Sequence, residues 1–167
     1  MKTSGTVVIL NGPSSAGKST LAKAVREHLG ATCMAVSIDR LFAFAHPAHP
    51  VNWRLFATLT DATFAVAVTA ATAGFDVLVD TVFERRDCLE SARRAFASTP
   101  HFYVAVTCPI DELEARERAR GNRPSGLARR QHGEVLHDAP YALELDTATQ
   151  TVEACAGQIA RLFPPRT

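Results

Sequence analysis

With 167 residues, 47% hydrophobic and 21% charged, the chain has the length for one hydrophobic core but not for a second independent one, so residues 1–167 are expected to form one domain. A net charge of +1 excludes the strongly basic balance expected of a nucleic-acid or anionic-membrane partner. Cys33, Cys88, Cys108 and Cys155 are far apart and form no C-x-x-C pair, so no zinc or redox motif is visible and buried thiols are expected.

The first apolar run, TVVIL, is too short for a secretory signal and reads as a strand. It leads directly into NGPSSAGKST. Residues 12 to 19 of that string spell G-x-x-x-x-G-K-S, the phosphate-binding loop that joins a strand to a helix. Gly12 and Gly17 are expected to take backbone angles that a side chain would forbid, turning the N–H groups of Ser14, Ser15, Ala16, Gly17, Lys18, Ser19 and Thr20 toward an anion. The helix LAKAVREHLG then points its positive end at the same anion. Lys18 adds a full charge at the phosphate oxygens, and the Ser19 hydroxyl is the expected ligand of a bridging magnesium ion. The loop therefore predicts ATP and Mg2+ as cofactors.

CMAVSI is the second strand, and Asp39 stands at its mouth. A carboxylate there can accept the proton of a hydroxyl as a phosphoryl group arrives; the competing reading is the N-cap of a helix starting at Arg40. The segment AFAHPAHPV after Phe42 is irregular. Phe42, Phe44, Trp53 and Phe56, with His46 and His49, would make an aromatic wall for a flat or apolar acceptor around residues 40–56, although aromatic residues at helical spacing also serve as core. The long pattern that follows ends at Gly74. Its most apolar stretch, ATFAVAVTAATAGF, is too short to span a bilayer, so a soluble cytoplasmic protein with no membrane partner is expected.

FDVLVD is the third strand and closes in Asp80, the usual presentation of a magnesium ligand beside a phosphate loop, with a turn cap as the alternative. RRDCLESARRAFAS reads as a helix, FYVAVTC as a strand and IDELEARERARG as a helix. Arg116 and Arg120 are four apart and share one helix face, and Arg123 lies in the turn beyond, so a lid around 116–131 could neutralise charge during transfer. Glu112, Glu114 and Glu117 are interleaved with these arginines, which also fits a solvated helix of Glu–Arg pairs. YALELD and TQTVEACAGQIARLF supply the last strand and helix. Strand and helix in alternation predict a three-layer α/β/α P-loop NTPase with a five-stranded parallel sheet, nucleotide-kinase-like.

The strings LNGPSSAGKS, SIDRL, LVDTVF and RGNRPSGLA, followed by Gln131, Tyr141 and LDT at 145 to 147, resemble the chloramphenicol phosphotransferase family in unbroken order. The resemblance implies ATP-dependent phosphorylation of a hydroxyl on a small molecule, with Asp39 as general base, and inactivation of an antibiotic by that route. On this reading Lys18, Arg120 and Arg123 join Asp39 as catalytic residues, Gly12 to Thr20 with Arg116 and Arg120 hold the nucleotide, and Ser19 with Asp80 holds the metal. Thr81 follows Asp80 where the family often carries a second acid, and His137 falls one residue off the family's position. Two other readings stay open: a kinase for another hydroxyl acceptor such as a sugar nucleotide, as in the zeta-toxin type, and a non-catalytic ATP-binding regulator. The oligomeric state is open too, a homo-oligomer included.

Overall fold

The computed structural model describes residues 4–46, 48–121 and 126–164. Five strands, β1 (Val7–Asn11), β2 (Cys33–Ser37), β3 (Asp76–Thr81), β4 (His101–Thr107) and β5 (Tyr141–Asp146), form one sheet in the order β2-β3-β1-β4-β5. Every neighbouring pair is parallel. The expected α/β fold is therefore present, and β1, the strand that leads into the phosphate loop, lies at its centre.

Among the described residues seven α-helices connect and flank the strands: α1 (Lys18–Leu29), α2 (Ile38–Phe42), α3 (Trp53–Thr72), α4 (Arg86–Ala95), α5 (Ile110–Arg120), α6 (Leu127–Gln131) and α7 (Val152–Ala160). Side chains alternate along each strand, and the two faces of β1 feed two separate cores. Val8 and Leu10 pack with Leu21 and Val25 of α1, Leu113 of α5 and Cys155 and Ile159 of α7. Val7 and Ile9 pack with Phe64 and Ala67 of α3, Leu89 of α4 and Phe96 just after it. Burying a large apolar side chain of this kind contributes roughly 1.5–3 kcal/mol, so two filled faces hold the central strand firmly. All four cysteines are free and buried. Burial pushes the Cys88 thiol up to about 11.

Three sequence expectations need correction. First, α3 follows the long helical pattern that ends at Gly74, and as a 20-residue helix it has the length and composition to cross a membrane, which its most apolar stretch alone lacks. Its Thr60, Thr63, Phe64, Ala67 and Ala71 are buried, and Phe64, Ala67 and Ala71 join the core on the face of β1 that carries Val7 and Ile9. Second, the competing reading of Asp39 as a helix cap does not hold: α2 begins at Ile38, two residues before Arg40, after the extended Ser37, and Asp39 lies in its first turn. Third, Gly12 does not take a positive φ, whereas Gly17 does, at 93°, and so does Ser15, at 66°. Gly12 is required for a different reason. A Cβ built there would sit 2.0 Å from the Val106 carbonyl oxygen of β4.

Because that obstacle is backbone, it cannot be relieved by turning a side chain. Gly12→Ala is expected to destabilise the fold by about 1–3 kcal/mol, the range for forcing volume into a packed site, measured as a lower urea midpoint with an unchanged slope.

Candidate active site

The carboxyl ends of the central strands open into a cleft of about 520 Å³. Parallel strand order places it there, because β1 and β3 run side by side and register Leu10 with Asp80 and Asn11 with Thr81. Ser14, Ser15, Gly17, Lys18, Ser19 and Thr20 line it from the loop and the start of α1. Asp39 and Asp80 line it from the ends of β2 and β3, and Arg116 and Arg120 from α5. Gly12 and Ala16 stand behind this surface, both buried. Arg123 lies outside the described residues.

The loop is held in an anion-ready shape by its own lysine. Lys18 Nζ donates to the Gly12 carbonyl at 2.7 Å and to the Pro13 carbonyl at 2.8 Å, folding its charge over the loop. At the first turn of α1, Ser19 Oγ donates to Asp80 Oδ2 at 2.6 Å. Burial raises the proton affinity of Asp80, and Lys18, the Ser19 hydroxyl and Arg120 oppose the rise while Asp39 adds to it. A buried carboxylate beside a hydroxyl, both hard oxygen donors, suits a magnesium ion that takes only one or two ligands from the protein. Among the described residues no three His, Cys, Asp or Glu side chains gather into a metal cage.

Other polar groups in the cleft were not singled out for a role in the sequence. Thr147, just after β5, donates from Oγ1 to the Ala16 carbonyl at 2.9 Å and accepts from Arg116 at 3.0 Å, while Arg116 also donates to the Thr147 carbonyl at 3.1 Å and to Glu112 at 2.9 Å. Gln131 of α6 accepts the Ser14 N–H at 2.7 Å and donates to Glu84, which is ion-paired with Arg130 at 2.7 Å. Glu117, buried on α5, accepts the N–H groups of Gly126 and Ala128 at 2.8 Å each and so fixes the start of α6. The Arg116–Glu112 pair is of the i,i+4 kind that the interleaved Glu and Arg residues suggest, whereas the Thr147 and Gln131 contacts span long sequence separations that no local pattern announces.

The aromatic residues of 40–56 behave differently from the wall expected. None of Phe42, Phe44, Trp53 and Phe56 lines the cleft. Trp53 stacks on Phe56 with ring centroids 5.4 Å apart, Phe56 meets Phe42 at 6.3 Å, and Arg85 covers the Trp53 ring at 4.5 Å. Phe44 is 85% exposed. The aromatic side chains were closer to a packed satellite than to a ligand surface, and Ile38 and Asp39 are what this end of the chain gives the cleft. His137, at positive φ, is committed to the Phe83 carbonyl at 2.8 Å.

Residues 5–164, nearly the whole chain, match the chloramphenicol phosphotransferase-like protein family. The chain belongs to that family. Within reach of it are Mycobacterium tuberculosis proteins from two strains, each provisionally named an O-phosphotransferase and 31% identical over 183 residues, covering 93% of this chain and 80% of the relative. Solved structures share the fold: the Mycobacterium tuberculosis APS kinase in complex with AMPPNP and APS at TM-score 0.74 and 24% identity, covering 95% of this chain and 97% of that one. Shikimate kinase from Acinetobacter baumannii, in complex with shikimate, aligns at TM-score 0.69 and 16% identity, covering 96% and 93%. The fold of this family member is thus that of P-loop kinases.

The Thr147 clasp can be tested without any ligand. Thr147→Val keeps the shape but strips a partner from the buried Ala16 carbonyl and from Arg116, so a loss of about 1 kcal/mol in unfolding free energy is expected from denaturant titration.

Proposed function

We propose that the chain is an ATP-dependent O-phosphotransferase acting on a hydroxyl of a small molecule. The single observation that carries this is the convergence of Lys18, Ser19, Asp39, Asp80 and Arg120 on one cleft at the carboxyl ends of β1, β2 and β3. A loop that only bound nucleotide would have no use for a second carboxylate on the far side of the cleft from the arginines. Family membership supports the same reaction class.

In this reading Lys18 exchanges the Gly12 and Pro13 carbonyls for phosphate oxygens, and N–H groups of the loop and of the start of α1 would bind the remaining charge. Ser19 and Asp80 would hold a magnesium ion, which would supply neutralisation of phosphate charge. The acceptor oxygen bonds to the γ-phosphorus of ATP as the bond from that phosphorus to the bridging oxygen breaks. The hydroxyl proton passes to the Asp39 carboxylate, and ADP departs with the electron pair. Arg120, with Arg116 anchored beside it on Thr147, offsets negative charge at the leaving group. Asp39 is exposed on α2, so it can reach an incoming hydroxyl without moving the sheet. The lid role of 116–131, with Arg123, belongs to this proposal, and so does the acceptor's approach from the side of α2.

The test is Asp39→Asn, which preserves shape and removes charge. Product formation from ATP and a panel of hydroxyl compounds that includes chloramphenicol should fall by roughly 10²-fold or more, while ATP affinity and melting temperature stay near those of the wild type. Retained turnover would remove Asp39 from the role of base.

A further inference from the structure

Buried side-chain oxygens without a hydrogen-bond partner are costly and rare, so each one in a folded protein asks for a reason. Among the described residues three such atoms occur: Ser15 Oγ, Thr81 Oγ1 and Tyr103 Oη. Tyr103 lies within the apolar cluster under α3 and α4. The other two residues line the cleft. Ser15 belongs to the phosphate loop itself, whereas Thr81 has no part in the chemistry described above and is 1% exposed.

The position of Thr81 follows from the sheet. Along β3, Leu78 faces the core under α1, and Val77 and Val79 face the core under α3. Strand alternation therefore turns Asp80 toward α1, where Ser19 meets it, and Thr81 toward the opposite face. Its register partner on that face is Asn11, whose two amide N–H bonds are already given to the Val135 carbonyl and the Tyr141 hydroxyl, and whose oxygen accepts the Phe83 N–H. On the other flank β2 pairs Ser37 with Asp80, so α2 and Asp39 begin alongside Thr81. The unpartnered hydroxyl thus stands between the loop and Asp39, on the side of the sheet away from the Ser19–Asp80 pair.

We infer that the Thr81 hydroxyl is an acceptor-binding contact and that the acceptor carries a second hydrogen-bonding group beside the hydroxyl that is phosphorylated. This rests on the phosphotransferase reading of the cleft. The reacting hydroxyl gives its proton to Asp39 and its oxygen to phosphorus, and the Thr81 hydroxyl is assigned to another polar group of the same molecule. A threonine hydroxyl can donate to that group or accept from it. The acceptor class is accordingly a diol, amino alcohol or hydroxy amide rather than a simple monoalcohol.

Thr81→Val and Thr81→Ser decide the matter, assayed with ATP and the compound that the wild type phosphorylates fastest among chloramphenicol, shikimate and benzyl alcohol. Thr81→Val should raise the acceptor KM roughly tenfold, leave the ATP KM unchanged and melt no lower than the wild type, since it removes a hydroxyl that has no partner in the protein. Thr81→Ser, which keeps the oxygen, should hold the acceptor KM near the wild-type value. An unchanged acceptor KM in an active Thr81→Val enzyme, or a change confined to the ATP KM, overturns the contact while leaving the phosphotransferase reading intact. A lower melting temperature with unchanged kinetics marks the hydroxyl as structural and overturns it too. Fastest turnover of benzyl alcohol contradicts the acceptor class. A wild type that phosphorylates none of the three while consuming no ATP counts against the phosphotransferase reading and takes the contact with it.

Discussion

The hydrogen bond from Ser19 to Asp80 ties the start of α1 to the end of β3, and the layout of the cleft depends on it. A carboxylate buried this deeply is costly unless something compensates it, and here the compensation comes from the loop: a hydroxyl from Ser19 and charge from Lys18. Strand order makes the pairing available, since β3 is the neighbour of β1. The same adjacency brings Asp39, in the first turn of α2 just after β2, to the cleft and leaves the β4 side free for the close approach of Gly12 to Val106. The site is therefore a consequence of sheet topology, with few residues specialised for it.

A second layer of contacts keeps the loop in place from outside. Thr147 holds the Ala16 carbonyl and Gln131 holds the Ser14 N–H, from segments far along the chain. Arg116 links the Thr147 clasp to α5, and Glu117 links α5 to α6, on which Gln131 sits. Loop, arginine helix and the helix carrying Gln131 thus form one connected hydrogen-bonded frame, in which a displaced arginine would be felt at the loop. Preorganisation of this kind suits the phosphoryl transfer proposed for the cleft.

Much of this was legible from sequence because its signals are local. Apolar runs of strand length marked the first four strands, and YALELD, read as the fifth, coincides with β5 residue for residue. The phosphate loop announces itself by spacing alone. What escaped has physical causes. Helices α2 and α6 are five residues each, too short to show a period. The need for Gly12 arises from β4, not from its own backbone angles, so a motif reading assigns it the wrong reason. The aromatic residues after Asp39 have the composition of a binding wall, yet Arg85 and their mutual stacking engage them instead, and composition cannot tell the two apart. Partners such as Thr147 and Gln131 are set by tertiary contact, and Thr81 stands out only once its neighbours are known to be satisfied.

The central claim is that the cleft moves a phosphoryl group from ATP to a carbon-bound hydroxyl. Phosphorus NMR of the wild type with ATP, magnesium and each hydroxyl compound in turn follows donor and product in one spectrum. The account predicts that the γ-phosphate resonance is replaced by ADP and by a phosphomonoester resonance growing in equal amount. ADP appearing with inorganic phosphate alone, or an ATP spectrum that never changes, would contradict it.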